Sequence, residues 1–471
     1  MLITFSIENF LSFKERHTFS MVAGMGGRNK AHHLIKKTSK KDVNLVKTAV
    51  LYGANASGKS NLVKAIHFGQ QLLLKGTVAN NLLDFQPFKL DKKNLKRPSR
   101  IEFEIKHKGR CYAYGFLFDK HQIQGEWLYV IDNKRSKPIF ERDHNQFDLQ
   151  PLQARNSTKQ AQFLEFIAMG TPENQLFLTE ISHRNVQEHV TAIDDLLQVI
   201  DWFQNTLTIW YPHSKTPGLE FELHQSERLT TMYKEFLSYF DTGIDGISLE
   251  EIEMDQTELP EHVKENVKNS LLHRSSDKTT AIIDNPVKNI RYFFSKNEYD
   301  EISVCKLMTK HRIAGTDNEV SYFDIHEESD GTQRIMDFIP MLVDLLAGDN
   351  VFIVDEMERS LHPNLIYELL ELFLEHSTDI SSQLILASHA TALLTQDLLR
   401  KDEIWFVKKD QAGASSIYSL EEYNIRFDKK IRKDYLIGRY QAIPKFGNPY
   451  KLSAVVPSNI SDDVQAVPHE V

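Results

Sequence analysis

Residues Leu51 to Asn61, with the sequence LYGANASGKSN, constrain the fold of this chain more than any other stretch. An apolar run precedes the glycines, and apolar residues at helical spacing follow them. A strand, a glycine-rich loop and a helix in this order form a phosphate-binding loop, in which backbone N–H groups face phosphate oxygens. We therefore predict a nucleoside triphosphate site with Gly53, Gly58, Lys59 and Ser60, where Lys59 reaches the outer phosphates and Ser60 ligates Mg²⁺. The simpler alternative is a glycine turn that only starts a helix.

The size and composition of the chain narrow the class of protein. At 471 residues it exceeds the ~250–300 residues at which a single core stops growing, so we expect two or three cores. Its net charge of −9 means that any contact with nucleic acid needs a local basic patch. No apolar stretch reaches the ~18 residues that span a bilayer, and the N-terminus does not resemble a signal peptide. The two cysteines have no metal or redox spacing, so we expect a cytoplasmic protein without membrane contact.

A second stretch, Val351 to Glu356, ends in two acids. Four apolar residues in a row predict a strand of a parallel sheet that is buried on both faces. Ligands of open α/β sheets bind at the carboxyl ends of such strands. We expect Asp355 to hold the Mg²⁺ shell and Glu356 to act as the general base that polarises the attacking water.

Two further stretches have weaker signals of their own. The segment Glu328 to Arg334, ESDGTQR, stands before an apolar helix, and a small residue and glycine at a helix start suit a phosphate. An ordinary N-cap by Ser329 or Asp330 explains it equally well. The apolar run from Gln383 ends in His389, which can bond a terminal phosphate or be an ordinary polar residue.

Changes in the pattern of apolar and polar residues divide the rest of the chain into regions. A basic cluster, Lys36, Lys37, Lys40 and Lys41, predicts a surface loop, with nucleic-acid contact as the alternative. We expect six regions: residues 1–80, the first half of the core domain; 81–150, an inserted antiparallel β-lobe; 151–219, a return to the core domain; 220–300, an inserted helical lobe; 301–447, the second half of the core domain; and 448–471, a flexible tail.

The order of these motifs is similar to that of the ATP-binding-cassette (ABC) ATPases. The large insertion resembles the chromosome-maintenance and recombination-repair members of that class. The segments IENFLSF, YGANASGKSN, EWLY, ESDGTQR, VDEMERSLHP, ASHAT and GRYQAIP look like the single-chain ATPases of prokaryotic anti-phage defence. That group includes the overcoming-lysogenisation-defect proteins, the Septu ATPase and, as the nearest resemblance, the ATPase subunit of the PARIS system.

The resemblance implies a fold and an activity. The fold is α/β: an ABC-ATPase-type head with a mixed β-sheet and flanking helices, an inserted antiparallel β-lobe and an inserted helical lobe. The activity is Mg²⁺-dependent ATP hydrolysis between two heads that pair face to face.

The resemblance also implies roles for particular residues. Asn55, Ser57 and Asn61 join the phosphate loop, Ser60 and Asp355 form the Mg²⁺ site, and Glu356, Lys59 and His389 are catalytic. Ser329, Gly331 and Gln333 form a signature that contacts the partner's ATP. Asp330 stands where the family has a small residue, and we expect it to turn away and cap its helix. A Mg²⁺-sensing glutamine is expected too, either Gln86 or a residue near Phe177 to Asn185, where the first glutamine is Gln187.

The function we predict is a sensor or scaffold subunit of an abortive-infection defence system. It forms head-to-head dimers or a higher homo-oligomer such as a hexamer, responds to a phage trigger and controls a separate effector nuclease. The overcoming-lysogenisation proteins carry a nuclease domain after the ATPase, and the short stretch after His389 has no acidic triad for one. The alternatives are a DNA-repair ATPase that clamps DNA ends and a scaffold that binds nucleotide without hydrolysing it.

Overall fold

The fold is described from a computed structural model that covers residues 1–24, 31–37, 39, 42–132, 135–214, 227–272, 279–285, 290–296, 299, 301–316, 319–423 and 431–444. In chain order, the strands are β1 (Leu2–Glu8), β2 (His17–Ser20), β3 (Thr48–Tyr52), β4 (Ser99–His107), β5 (Arg110–Phe118), β6 (Ile123–Asp132), β7 (Arg135–Asp143), β8 (Gln146–Asp148), β9 (Leu207–Trp210), β10 (Gly246–Ile252), β11 (Thr279–Asn285), β12 (Ile290–Lys296), β13 (Ile302–Arg312), β14 (Val320–Asp324), β15 (Val351–Asp355), β16 (Gln383–Ala387), β17 (Ile404–Lys409) and β18 (Ser415–Ser419).

The helices in the same part of the chain are α1 (Lys59–Lys75), α2 (Gln150–Gln153), α3 (Thr158–Met169), α4 (Phe177–His183), α5 (Asp194–Asp201), α6 (Glu227–Tyr239), α7 (Glu261–Leu272), α8 (Asp330–Ala347), α9 (Pro363–His376) and α10 (Ile431–Leu436). None of these is long and apolar enough to cross a membrane. The predicted tail, 448–471, and the basic residues Lys40 and Lys41 lie outside the described residues.

A six-stranded sheet forms the centre of the molecule, in the order β18-β17-β3-β16-β15-β9. All neighbours are parallel except β17 and β18. Strands β3, β15 and β16 are buried along their whole length, because the two faces of the sheet meet different cores. Leu51 and Ile353 face the core on the α1 side, whereas Val50 and Val354 face the core of α8 and α9. A parallel sheet that is covered on both faces in this way confirms the α/β class and the prediction of strands buried on both faces.

A seven-stranded antiparallel sheet packs on the α1 side, in the order β2-β1-β4-β5-β6-β7-β8. It contains the antiparallel strands of the β-lobe that we predicted for residues 81–150. It also contains β1 and β2, since β1 pairs with β4 as well as with β2. The strands at the N-terminus and those after the phosphate-loop helix therefore form one continuous sheet.

The region 220–300 differs from the predicted helical lobe. Helices α6 and α7 lie in it, but β10, β11 and β12 do as well, and they join β13 and β14 in a five-stranded sheet. The acidic residues Glu250 and Glu251 lie in the edge strand β10, where Glu250 pairs with Lys306 at 3.5 Å. Charged residues on an edge strand discourage pairing with other chains, and here they hid the alternation that marks a strand.

Gln383, at the start of β16, joins two of the sheets. Its side chain is fully buried; the amide oxygen accepts from the Leu2 N–H at 2.6 Å, and the amide nitrogen donates to the carbonyls of Leu2 (3.0 Å) and Val46 (3.2 Å). Each buried backbone group that loses its hydrogen-bond partner lowers the free energy of unfolding by about 1–3 kcal/mol.

We therefore expect Gln383→Ala to lower the free energy of unfolding by about 2–4 kcal/mol. A urea titration followed by fluorescence measures the change as a lower midpoint. Gln162→Ala, at an exposed position of α3, is the matched control and should leave the midpoint unchanged. Equal midpoints for Gln383→Ala and the wild type would contradict this account.

Candidate nucleotide site

The glycine-rich loop connects β3 to α1, which is the predicted strand, loop and helix order. Two of its glycines are required by geometry. A Cβ on Gly53 would lie 2.4 Å from the Val407 carbonyl oxygen, and Gly58 has φ of +117°, which L side chains rarely adopt. The loop therefore leaves its N–H groups and the start of α1 directed to one side, as phosphate binding requires.

Residues from distant parts of the chain support the loop from behind. The Ser415 hydroxyl lies 2.7 Å from the Ser12 hydroxyl and 2.5 Å from the Ser57 carbonyl oxygen. The Asn61 side chain donates to Ser12 at 2.8 Å. These contacts fix the loop between the segment after β1 and the start of β18.

Lys59 and His389 meet inside the site. The Lys59 ammonium donates to the Gly53 carbonyl at 2.9 Å and lies 2.9 Å from Nε2 of His389. Burial lowers the pKa of Lys59 to about 8, against the opposing effect of nearby carboxylates, of which Glu358 contributes most. Burial, and then the Lys59 charge, lower the pKa of His389. A neutral imidazole therefore accepts from the ammonium, which lies where an outer phosphate would bind.

The acid pair lies at the end of β15, beside the start of α1. The Ser60 hydroxyl donates to Oδ1 of Asp355 at 3.1 Å, and burial raises the pKa of Asp355. A hydroxyl and a carboxylate beside a phosphate loop are the hard oxygen ligands that suit Mg²⁺, with phosphates and water completing the shell. Glu356 has φ of +51°, an uncommon backbone conformation that aims its side chain into the site.

Eight of the predicted residues line one cleft of about 620 Å³, whereas Gly53 and Asp355 are not among its walls. Its walls are Asn55, Ala56, Ser57, Gly58, Lys59, Ser60, Asn61, Glu356, Glu358, Arg359, His389 and Lys409. A larger cleft of about 1000 Å³ lies by the seven-stranded sheet, where Arg110 and Arg155 both pair with Asp195. Those arginines already hold a carboxylate, so we assign the nucleotide to the smaller cleft.

The predicted signature is not among the residues that line this cleft. Ser329 is the N-cap of α8 and accepts from the Thr332 N–H at 3.1 Å, while the Gln333 amide donates to the Glu328 carbonyl at 2.8 Å. Ser329 and Asp330 are exposed. The expectation that Asp330 caps the helix is wrong, because Ser329 does so and Asp330 is the first helical residue.

Neither candidate for the Mg²⁺-sensing glutamine lines the cleft. Gln86 accepts from the Leu11 N–H through its carbonyl, and Gln187 lines a different cleft. Strand β15 pairs with β16 on one side and with β9 on the other. Residues 211–214 directly follow β9 and therefore lie next to the acid pair at the end of β15. Tyr211 occupies this position, and its hydroxyl lies 2.8 Å from Nδ1 of His67 on α1.

The same segment, residues 211–214, also contacts the signature helix. Arg334 of α8 donates to the carbonyls of Ser214 (3.0 Å) and Tyr211 (3.3 Å), and Arg359 lies 3.0 Å from Nε2 of His213. The segment thus contacts the phosphate-loop helix, the signature helix and the loop after β15. Strand β9, which precedes this segment, has only four residues, and its pattern is too short to be recognised in the sequence.

Sequence reasoning also missed Glu358, Arg359 and Lys409 as cleft residues. The first two belong to the segment MERSLHP, which directly follows the acid pair. A third acid and an arginine within four residues of Asp355 were the signal that could have identified them.

A six-stranded sheet with a phosphate loop, an acid pair and a histidine at the ends of three neighbouring strands is the arrangement of an ABC-type ATPase. A sequence profile described as "AAA domain, putative AbiEii toxin, Type IV TA system" matches residues 49–395, well over half of the chain. The chain belongs to this family of AAA domains. No curated protein matches it.

Solved structures of chromosome-maintenance heads resemble the chain at low identity. The SMC head domain from Thermotoga maritima is 10% identical, with 89% of this chain and 98% of that chain covered and a TM-score of 0.35. An SmcHead bound to the C-winged helix domain of ScpA is 13% identical, with 89% and 97% covered and a TM-score of 0.36. An Smc head with an extended coiled coil from Pyrococcus furiosus, bound to the C-terminal domain of ScpA, is 12% identical, with 93% and 99% covered and a TM-score of 0.36. At these values the likeness supports no statement about ligands or partners.

Proposed function

We propose that this chain is the ATP-hydrolysing sensor subunit of an anti-phage defence system. In this proposal two heads pair around ATP, and the paired state controls a separate effector nuclease. The PARIS system is the one that its motifs resemble most. The family description, a putative toxin of type IV toxin–antitoxin systems, agrees with a role in abortive infection.

One observation supports the pairing above all others: the surface that the signature exposes is separate from the lining of the nucleotide cleft in the same head. The cleft contains the phosphate loop and the acids, whereas Ser329 is exposed outside it. The loop after β15 connects the two surfaces, since Arg359 lines the cleft and the Ser360 carbonyl lies beside Gly331. A signature exposed in this way is available to the ATP of a second copy.

The proposed chemistry assigns one task to each side chain. The loop N–H groups and Lys59 bind the phosphates, and Ser60 and Asp355 hold Mg²⁺, which neutralises charge on the phosphate oxygens when it is bound. Glu356 accepts a proton from the attacking water, and His389 orients the terminal phosphate. Ser329, with the free N–H groups at the start of α8, stabilises the same phosphate from the opposite chain.

ATP binding can control a partner only if the paired and open heads bind that partner with different affinity. Expression of this gene with its genomic neighbours should protect cells against phage, and deletion of either the gene or the neighbour should abolish protection. Lys59→Ala should abolish it too, because the phosphates lose their main cation. Lys75→Ala, at the exposed far end of α1, is the matched control and should protect like the wild type.

The purified protein alone should cut no DNA or RNA in this proposal. A metal-dependent nuclease activity that stays with the pure chain and survives Lys59→Ala would refute a separate effector. Protection that persists without any neighbouring gene would also refute a separate effector. Tight salt-sensitive binding of DNA ends by the paired heads would favour a repair clamp instead.

A further inference from the structure

Glu358 is a cleft carboxylate to which the proposed chemistry assigns no task. It lies two residues after Glu356, in the loop that follows β15, and is partly buried. Both of its oxygens are used: Oε2 accepts from the Ser388 hydroxyl at 2.9 Å, and Oε1 accepts from the backbone N–H of His389. A carboxylate that accepts two hydrogen bonds in this way is poorly placed to take a proton from water.

The segment that Glu358 holds is a sharp turn at the end of β16. The Ser388 hydroxyl also accepts from the Ala390 N–H at 2.9 Å, and the Ser388 N–H donates to the Leu51 carbonyl at 3.0 Å. Within this turn only His389 sends its side chain to Lys59, at 2.9 Å. The bonds from Glu358 therefore fix the backbone from which the imidazole reaches the phosphate position.

We infer that Glu358 is a positioning residue, which attaches the switch histidine to the loop after the acid strand. It orients His389 through two hydrogen bonds and is not a second general base. The inference rests on the proposed ATPase function and deepens it. It also predicts that the acid strand and the switch segment move together, because this carboxylate joins them.

The two possible roles respond differently to an isosteric change. A glutamine at position 358 keeps an oxygen for the His389 N–H, and its amide can donate to the Ser388 hydroxyl, which has a second lone pair. A positioning residue therefore tolerates the amide. A general base does not, because a carboxamide has no useful basicity.

The experiment compares kcat and KM for ATP in three single variants and one double variant. Glu358→Ala should lower kcat about 10–100-fold with KM changed less than about threefold, since a side chain displaced by about 1 Å can cost 10²-fold. Glu358→Gln should restore kcat to within about threefold of the wild type. Ser388→Ala should have a smaller effect, and Glu358→Ala/Ser388→Ala should be no slower than Glu358→Ala alone, because the two groups act through one contact.

Two results would overturn the inference: Glu358→Gln as slow as Glu358→Ala, or Glu358→Ala with unchanged kcat. A fall in melting temperature that accompanies equal losses in all Glu358 variants would show a purely structural role and would overturn it as well. Glu356→Gln and Lys59→Ala are measured beside them. If those two hydrolyse ATP like the wild type, the proposed function fails and not the assignment of Glu358 alone.

Discussion

Glu356→Gln is expected to bind ATP as tightly as the wild type and to hydrolyse it about 10²–10⁴-fold more slowly, the range for loss of a general base. Glu356 stands at the end of β15, directly after the proposed Mg²⁺ ligand Asp355, and its uncommon backbone conformation directs it into the cleft. The amide has nearly the same shape as the acid, so phosphate binding and head pairing should survive. The slow variant should therefore accumulate as an ATP-bound dimer.

Single-turnover hydrolysis and sedimentation in ATP measure the two parts of this result. Glu375→Gln, at an exposed position of α9, is the matched control, since it makes the same chemical change outside the cleft. Lys59→Ala is the opposite control, because it should remain monomeric in ATP after losing the phosphate contact. Equal turnover by Glu356→Gln and the wild type would show that another group activates the water.

A mixture of two inactive variants should regain activity if the signature acts on the partner's ATP. Lys59→Ala removes one chain's phosphate site, and Ser329→Asp places a negative charge where the partner's phosphate would bind. Each mixed dimer keeps one of its two sites, so the mixture should regain a measurable fraction of wild-type turnover, about a quarter if all pairings form equally.

The structure determines the choice of the signature variant. A Cβ on Gly331 would lie 2.9 Å from the Ser360 carbonyl oxygen, so a larger residue there would disturb its own chain. Aspartate is a good N-cap, so Ser329→Asp keeps the start of α8. Ser329→Asn caps equally well without a charge and should lose less activity than Ser329→Asp. A mixture that stays inactive, with mixed dimers shown by mass, would rule out action across the interface.

Local patterns explain which parts of the fold could be predicted. Runs such as Val351 to Val354 are apolar because both faces of the strand are buried. The pattern therefore appears in consecutive residues and can be recognised in the sequence. The phosphate loop needs Gly53 and Gly58 within one short segment, which is also a local requirement. Strands β10, β11 and β12 of the five-stranded sheet were missed, and in β10 the charged edge residues, Glu250 among them, obscured the alternation.

Contacts between distant residues explain what could not be predicted. That Tyr211 lies beside the acid pair depends on β9 taking the place next to β15, which a four-residue strand does not signal. Glu356 and Glu358 look equivalent in sequence. In the folded chain Glu356 lines the cleft, whereas Glu358 accepts two hydrogen bonds from the segment that contains His389. This difference depends on where β15 and β16 lie relative to each other.

The support behind the phosphate loop has a consequence for biosynthesis. Strand β3 is complete at Tyr52, yet its neighbours in the sheet are β16 and β17, and the hydroxyl that braces the loop belongs to Ser415. A nascent chain carries the glycine-rich motif long before it has the strands that shape it. These later strands must leave the ribosome before they can pair with β3 and give the loop the shape that binds ATP. Nucleotide binding is therefore expected only after the chain has been translated past Ser415.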